Sequence, residues 1–193
     1  MSIQDLTDEE LFERAQTGEE QAFTCLYRRR HAGVYRFALR MSGSAAVAED
    51  VTQEVFLALL RDGRRYSPKR GSVAAYLLGI SRNLVLRRLE RDGPQAAETA
   101  YDEPVSAATG PLDELARDES IQAIRSAVLG LPAHYREVVA LCDLEEVSYE
   151  DAAAVLGCAV GTVRSRLHRA HGLLARRLCQ RGVDYEQSGF SRV

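Results

Sequence analysis

Near the C-terminus, the run TVRSRLHRAHGLLARRL sets Val163, Leu167, Ala170 and Leu174 within about 60° of one another on a helical wheel. Arg164, Ser165, His168 and Arg169 occupy the opposite side. Guanidinium, hydroxyl and imidazole donors gathered on one face can bond to phosphate oxygens and to base edges in a duplex groove. A capped short helix precedes this run: Ser148 and Asp151 form an S-x-x-D capping pattern, YEDAAAVLG closes at Gly157, and GCAVG makes a tight turn. Short helix, glycine turn and basic second helix together form a helix-turn-helix pattern. A basic amphipathic helix alone is often only a solvated face; the capped helix and turn ahead of it favour DNA.

Two further groupings stand earlier in the chain. A helix over 73–91 turns Tyr76, Leu77, Ile80 and Leu84 inward and leaves Arg82, Asn83, Arg87 and Arg88 for solvent or ligand. The loop before it, RDGRRYSPKRGS, is rich in bases and carries Lys69 and Arg70 near its end. Asp50, Gln53 and Glu54, at i, i+3 and i+4, share a helix face that the apolar stripe of Val47, Val51, Val55 and Leu59 leaves free. On composition alone that face is an ordinary acidic, solvated one. No phosphate-binding loop, HExxH or GxSxG motif occurs, and no carboxylates pair in a plausible cleft, so no catalytic residues and no enzyme are expected. Cys158, His168, His171 and Cys179 match no usual zinc spacing, so neither a metal nor another cofactor is expected.

The scaffold that must hold these groups reads as helical throughout. Its 193 residues, 46% hydrophobic and 27% charged, fall between one and two ordinary domains. No stretch approaches the roughly 18 consecutive apolar residues of a membrane span, so no membrane insertion is expected. The acidic start MSIQDLTDEE lacks the basic and apolar regions of a secretory signal and points to the cytoplasm. Four cysteines without a CxxC pair read as reduced, buried hydrophobes. Residues 93–111, GPQAAETAYDEPVSAATGP, have three prolines and no sustained apolar period, the mark of an acidic, Pro/Ala-rich linker. It separates a first block, 1–92, from a second, 112–181, with a tail at 182–193.

In the first block, Thr7 and Glu10 form a capping box, Leu6 and Leu11 can staple it, and helices follow to near Gly18, from Phe23 through Met41, over 45–60 and over 73–91. The second block reads as a helix over 112–129, one opened by Pro132 that buries Tyr135, Val138, Val139 and Cys142, and the helix-turn-helix. No segment alternates as a strand does. The fold class is therefore all-α: two small helical domains joined by a flexible linker, the C-terminal one containing a helix-turn-helix.

Charge is segregated along the chain. Residues 1–20 carry a net −6, 21–92 a net +8, 93–120 a net −6 and 148–182 a net +4, within an overall −3. The basic blocks suit nucleic acid, and the acidic segments could fold over them and weaken DNA binding by the free chain. Of 25 basic residues only Lys69 is lysine, which favours forked, bidentate contacts.

LPAHYREVVALCDLEEVSYEDAAAVLGCAVGTVRSRLHRA resembles the promoter-reading C-terminal domain of the extracytoplasmic function (ECF, group IV) sigma factors of bacterial RNA polymerase. AEDVTQEVFLALL resembles the family's polymerase-docking helix and AYLLGISRNLVLRRLER its helix for the promoter −10 element, in the family's order and covering nearly everything from about residue 8 to 181. The resemblance implies that 1–92 is sigma region 2 and 112–181 region 4. It implies that Asp50, Gln53 and Glu54 dock on the β′ clamp of core RNA polymerase, with further contact to the β subunit. It assigns the −10 element to Lys69, Arg70, Tyr76, Arg82, Asn83, Arg87 and Arg88, with Asn83 reading an extruded base. It assigns the −35 duplex to Thr162, Arg164, Ser165, Arg166, His168 and Arg169, and it implies an anti-sigma factor as a further partner.

Three positions depart from the family, one of them Ala152, which replaces a larger aliphatic residue and implies a slightly thinner core between the two helices. Many relatives have tryptophan where Tyr76 stands, and Ala159 replaces a serine that often caps the recognition helix, leaving Thr162 to cap a later start. Two other readings remain open at this point. One is a stand-alone helix-turn-helix regulator that binds operator DNA without polymerase. The other is an adaptor that binds a protein through the Asp50 face.

Overall fold

The computed structural model describes residues 2–63, 66–92 and 121–180. The expected linker at 93–111, the start of the second block at 112–120 and the tail at 182–193 lie outside these residues. Among the described residues every regular element is helical.

Helix α1 spans Asp8–Gln16. Its capping box closes in both directions: Glu10 N–H donates to Thr7 Oγ1 at 3.2 Å, and Thr7 N–H donates to Glu10 Oε2 at 2.8 Å. Helix α2 spans Glu20–Ser42, α3 Ala45–Asp62 and α4 Val73–Asp92. Leu11, Leu26, Phe37, Met41, Val51, Val55, Leu59 and Leu77 are fully buried among them. At about 1.5–3 kcal/mol for each large apolar side chain taken from water, these residues hold the four-helix pack together.

In the second block α5 covers 121–129, α6 Ala133–Val138, α7 Tyr149–Leu156 and α8 Val160–Cys179. Between α6 and α7, Val139–Leu144 form a π turn. The wider turn shifts the helical phase that the sequence spacing implies, so Leu141 is fully buried while Cys142 is only half-buried. Burial and the nearby Asp143 carboxylate push the Cys142 thiol up to about 12.

Two other expectations are corrected. Helix α4 buries Val73, Leu77, Leu78 and Val85, whereas Tyr76, Ile80 and Leu84 are half-buried. It packs against α2 and α3 on one side and α7 on another, so its buried face is turned from the one read off the sequence. Thr162 does not cap α8, which already begins at Val160; Ala159 holds the cap position in extended geometry (φ −70°, ψ 149°) with no side-chain bond. The acidic N-terminus is folded onto the first block. Buried Asp8 pairs with Arg29 at 3.2 Å and with Arg30, and Glu9 Oε1 accepts from Val73 N–H at 3.2 Å.

The two blocks share one continuous apolar core. Arg136 stitches them with backbone bonds: Nη1 donates to Met41 O at the end of α2 at 2.7 Å, and Nη2 to Leu131 O at 3.1 Å and to Leu129 O. A cation suits these carbonyl-rich helix ends. Burial, and secondarily Arg177, lower its pKa.

A serine at position 159 meets a backbone already shaped for an N-cap. Ala159→Ser is expected to stabilise the protein by about 1 kcal/mol, raising the thermal midpoint by about 2–4 °C in a circular-dichroism melt.

Candidate nucleic-acid and protein interfaces

Asp50, Gln53 and Glu54 lie along the outer face of α3, and Leu57 and Leu60 continue that side with exposures of 55% and 48%. Large apolar groups are thus left in water beside the acidic cluster. The sequence reading missed both leucines; the signal was their position one and two turns beyond Glu54, outside the Val51–Val55–Leu59 stripe. Arg88, grouped by sequence with the −10 residues, points to this face instead. Its Nη1 bonds Asp50 Oδ2 at 3.1 Å, its Nη2 bonds Glu54, and only 16% of its side chain is exposed.

The other side of α4 borders a cavity of about 600 Å³. Lys69, Arg70, Tyr76 and Asn83 line it from the first block, and Ala154 and Val155 from α7. Asn83 and Arg87 are exposed. Arg82 is held by Glu137 of α6 at 2.8 Å. Tyr76 belongs to an aromatic group, its ring centroid 5.5 Å from that of Tyr66 and 6.5 Å from that of Phe12. Tyr66, which the sequence reading did not select, also faces the cavity. Its signal was an aromatic ring set among the bases of the 61–72 loop. Burial first, and then the carboxylates of Glu9, Asp151 and Glu13, raise the Tyr66 pKa.

The loop enters α4 through a short 3-10 turn at Pro68–Arg70 and then Gly71, whose φ of +131° few side chains tolerate. The next residues are fastened from the second block. Ser72 N–H and Oγ–H donate to the two Asp151 carboxylate oxygens at 3.2 and 2.7 Å. The S-x-x-D box is thus only half made: Ser148 Oγ accepts from Asp151 N–H at 3.1 Å, while the carboxylate serves α4.

On α8, Arg164, Ser165, His168 and Arg169 are exposed, and Thr162 and Arg166 half-buried. The buried stripe of Val163, Leu167, Ala170, Leu174 and Leu178 fixes that orientation. Arg164 stands 5.6 Å from the centroid of the Tyr149 ring, within cation–π range. His171 Nε2 lies 2.8 Å from Asp143 Oδ2, tying α8 to the π turn. Among the described residues no cluster of histidine, cysteine and carboxylate groups fits a metal ion.

A helical pack with an exposed acidic–apolar face, joined to a helix-turn-helix whose donor face is open, has the build of a two-part transcription factor. Comparison places it more closely. The Sigma-70 region 2 family matches residues 26–94 and the Sigma-70 region 4 family residues 121–171. ECF RNA polymerase sigma factor SigE of Mycolicibacterium smegmatis is 37% identical over 165 residues, 83% of this chain and 63% of that protein. ECF RNA polymerase sigma factor EcfG of Rhodopseudomonas palustris is 35% identical over 150 residues, 77% of this chain and 80% of that protein. The solved structure of sigma factor RpoE with the anti-sigma factor NepR from Bartonella quintana matches with a TM-score of 0.64 at 28% identity, covering 81% of this chain and 96% of that one. The chain belongs to the ECF sigma factors, which act with RNA polymerase in transcription initiation. No helix among the described residues is long and apolar enough to cross a membrane.

A Cβ at position 71 would lie 3.0 Å from Asp151 Oδ1, in a conformation that already disfavours side chains. Gly71→Ala is expected to cost about 1–3 kcal/mol, read as a lower thermal midpoint with the helical spectrum retained.

Proposed function

We propose that this sigma factor docks on core RNA polymerase through Asp50, Gln53 and Glu54 with Leu57 and Leu60, captures an unstacked −10 strand along α4, and reads the −35 duplex with α8. In this reading 1–92 is the docking and −10 module, 93–111 the linker and 112–181 the −35 module. The observation that carries it is the opposition of two surfaces on one small pack. Docking groups stand on the outer face of α3, and Asn83, Tyr76, Lys69 and Arg70 surround a cavity on the other side of α4.

Asparagine offers one acceptor and two donors, enough to read the edge of a base that has left the stack. Opening three or four base-pair steps costs roughly 4–6 kcal/mol, at about 1.4 kcal/mol per step. Stacking on an aromatic ring returns about 1–3 kcal/mol per base. One asparagine and one tyrosine therefore fall short alone, and polymerase contacts supply the rest. On α8, Arg164, Ser165, His168 and Arg169 present donors at the depth of a major groove, Thr162 and Arg166 flank them, and Tyr149 steadies Arg164. Arg87 contacts the −10 backbone. Arg82 joins it once free of Glu137, whereas Arg88 braces the docking face. In this reading the protein acts in the cytoplasm as an initiation factor rather than as an enzyme. An inhibitor resembling the anti-sigma factor that binds RpoE is a fitting partner.

The test is run-off transcription with purified core polymerase over a genomic fragment library. Wild-type protein is expected to direct discrete transcripts, and Asp50→Lys with Glu54→Lys to abolish them together with polymerase pull-down. Asn83→Ala is expected to keep pull-down and lower open-complex formation at least tenfold by permanganate footprinting. A bubble opened by the isolated protein, or full initiation by the lysine variant, would overturn the reading. Tight operator binding without polymerase would support the stand-alone regulator instead.

A further inference from the structure

Three carboxylates of the second block occupy the cationic face of the first. Glu137, with 4% of its side chain exposed, holds Arg82. Glu145, with 5% exposed, forks onto α2: Arg36 Nη2 lies 2.8 Å from its Oε2, Arg36 Nε donates to its Oε1 at 3.1 Å, and Arg40 Nη1 also reaches Oε1. Asp151 takes both donors of Ser72.

The backbone is shaped to admit two of these groups. Glu145 Oε2 lies 3.2 Å from where a Cβ of Gly33, inside α2, would sit, and Asp151 Oδ1 lies 3.0 Å from the corresponding point at Gly71. Glycine within a helix is destabilising relative to alanine, and here it gives the carboxylate its approach. Directly after Glu145, Glu146 adopts a left-handed φ of 53°, uncommon for a residue with a side chain. Arg36 thus grips the Glu145 carboxylate in a fork, the arrangement that also suits phosphate, and Arg40 adds one bond; neither the sequence spacing nor the −10 assignment selected these two residues.

We propose that Arg36 and Arg40 of α2, with Arg82, form a track for the backbone phosphates of the captured strand, and that Glu137, Glu145 and Asp151 stand in for those phosphates while the blocks are closed. The proposal rests on the −10 reading above and adds to it a further binding site and an internal competitor. Strand capture requires the second block to release these arginines and α7 to leave the cavity wall that Ala154 and Val155 form. Because the same cations serve both partners, single-stranded DNA and the second block bind the first block in exclusion of each other.

The full chain tests this with a short fluorescent single-stranded DNA bearing a −10 sequence, and with small-angle scattering as a readout independent of DNA. Glu145→Gln with Asp151→Asn is expected to enlarge the radius of gyration and to tighten DNA binding at least fivefold. Adding Arg36→Gln and Arg40→Gln is expected to remove that gain and to reduce the slope of log affinity against log salt by about 0.7 for each lost phosphate contact. Ser72→Cys with Asp151→Cys, oxidised so that mass spectrometry finds the 72–151 disulfide, is expected to bind DNA several-fold more weakly than its reduced form. An opened chain with unchanged affinity, or equal binding by oxidised and reduced forms, overturns the competition. Unchanged radius and affinity overturn it equally. Asn83→Ala in the opened background separates the two readings: a tightened affinity that survives this change leaves the competition standing and removes base capture by Asn83.

Discussion

The N-terminus of α4 is the point at which the molecule closes. The first amides of a helix lack partners within it, and here three separate parts of the chain supply them. Ser72 Oγ accepts from Ala75 N–H, Glu9 of α1 accepts from Val73 N–H, and Asp151 of α7 accepts from Ser72 itself. Carboxylates at this end also meet the positive end of the helix dipole, each worth about 0.3–1 kcal/mol when exposed. The helix that carries Asn83 is thereby set in place by the N-terminal helix on one side and the helix-turn-helix on the other.

Much of this was legible because its cause is local. The Thr7–Glu10 box, the stripe of Val51, Val55 and Leu59, and the wheel of α8 depend on residues within a turn or two of one another, and spacing alone reports them. The acidic face of α3 was legible for the same reason. What the spacing hid is long-range. Arg88 follows the exposed Asn83 by little more than one turn on paper, yet α3 supplies two carboxylates to it, and it turns away. Asp151 reads as half of a local cap and serves Ser72, 79 residues earlier. The buried face of α4 was misplaced because a helix with neighbours on two sides has no single apolar stripe.

Arginine chemistry links these departures. Among the described residues, Arg29 and Arg30 close on Asp8, Arg36 and Arg40 on Glu145, Arg82 on Glu137 and Arg88 on Asp50 and Glu54. Six arginines of the first block are therefore engaged within the protein. Net charge by segment records how many cations a block holds, and only the fold shows which of them face outward.

The π turn at Val139–Leu144 sets where Glu145 emerges. Each residue of an α-helix advances about 100° around its axis, and each residue of the wider turn advances less, so regular helix over the same six residues would swing the acid away from α2. The wider turn gives up regular hydrogen bonding for aim. It works as an angular spacer, which converts the length of one segment into the bearing of a single carboxylate.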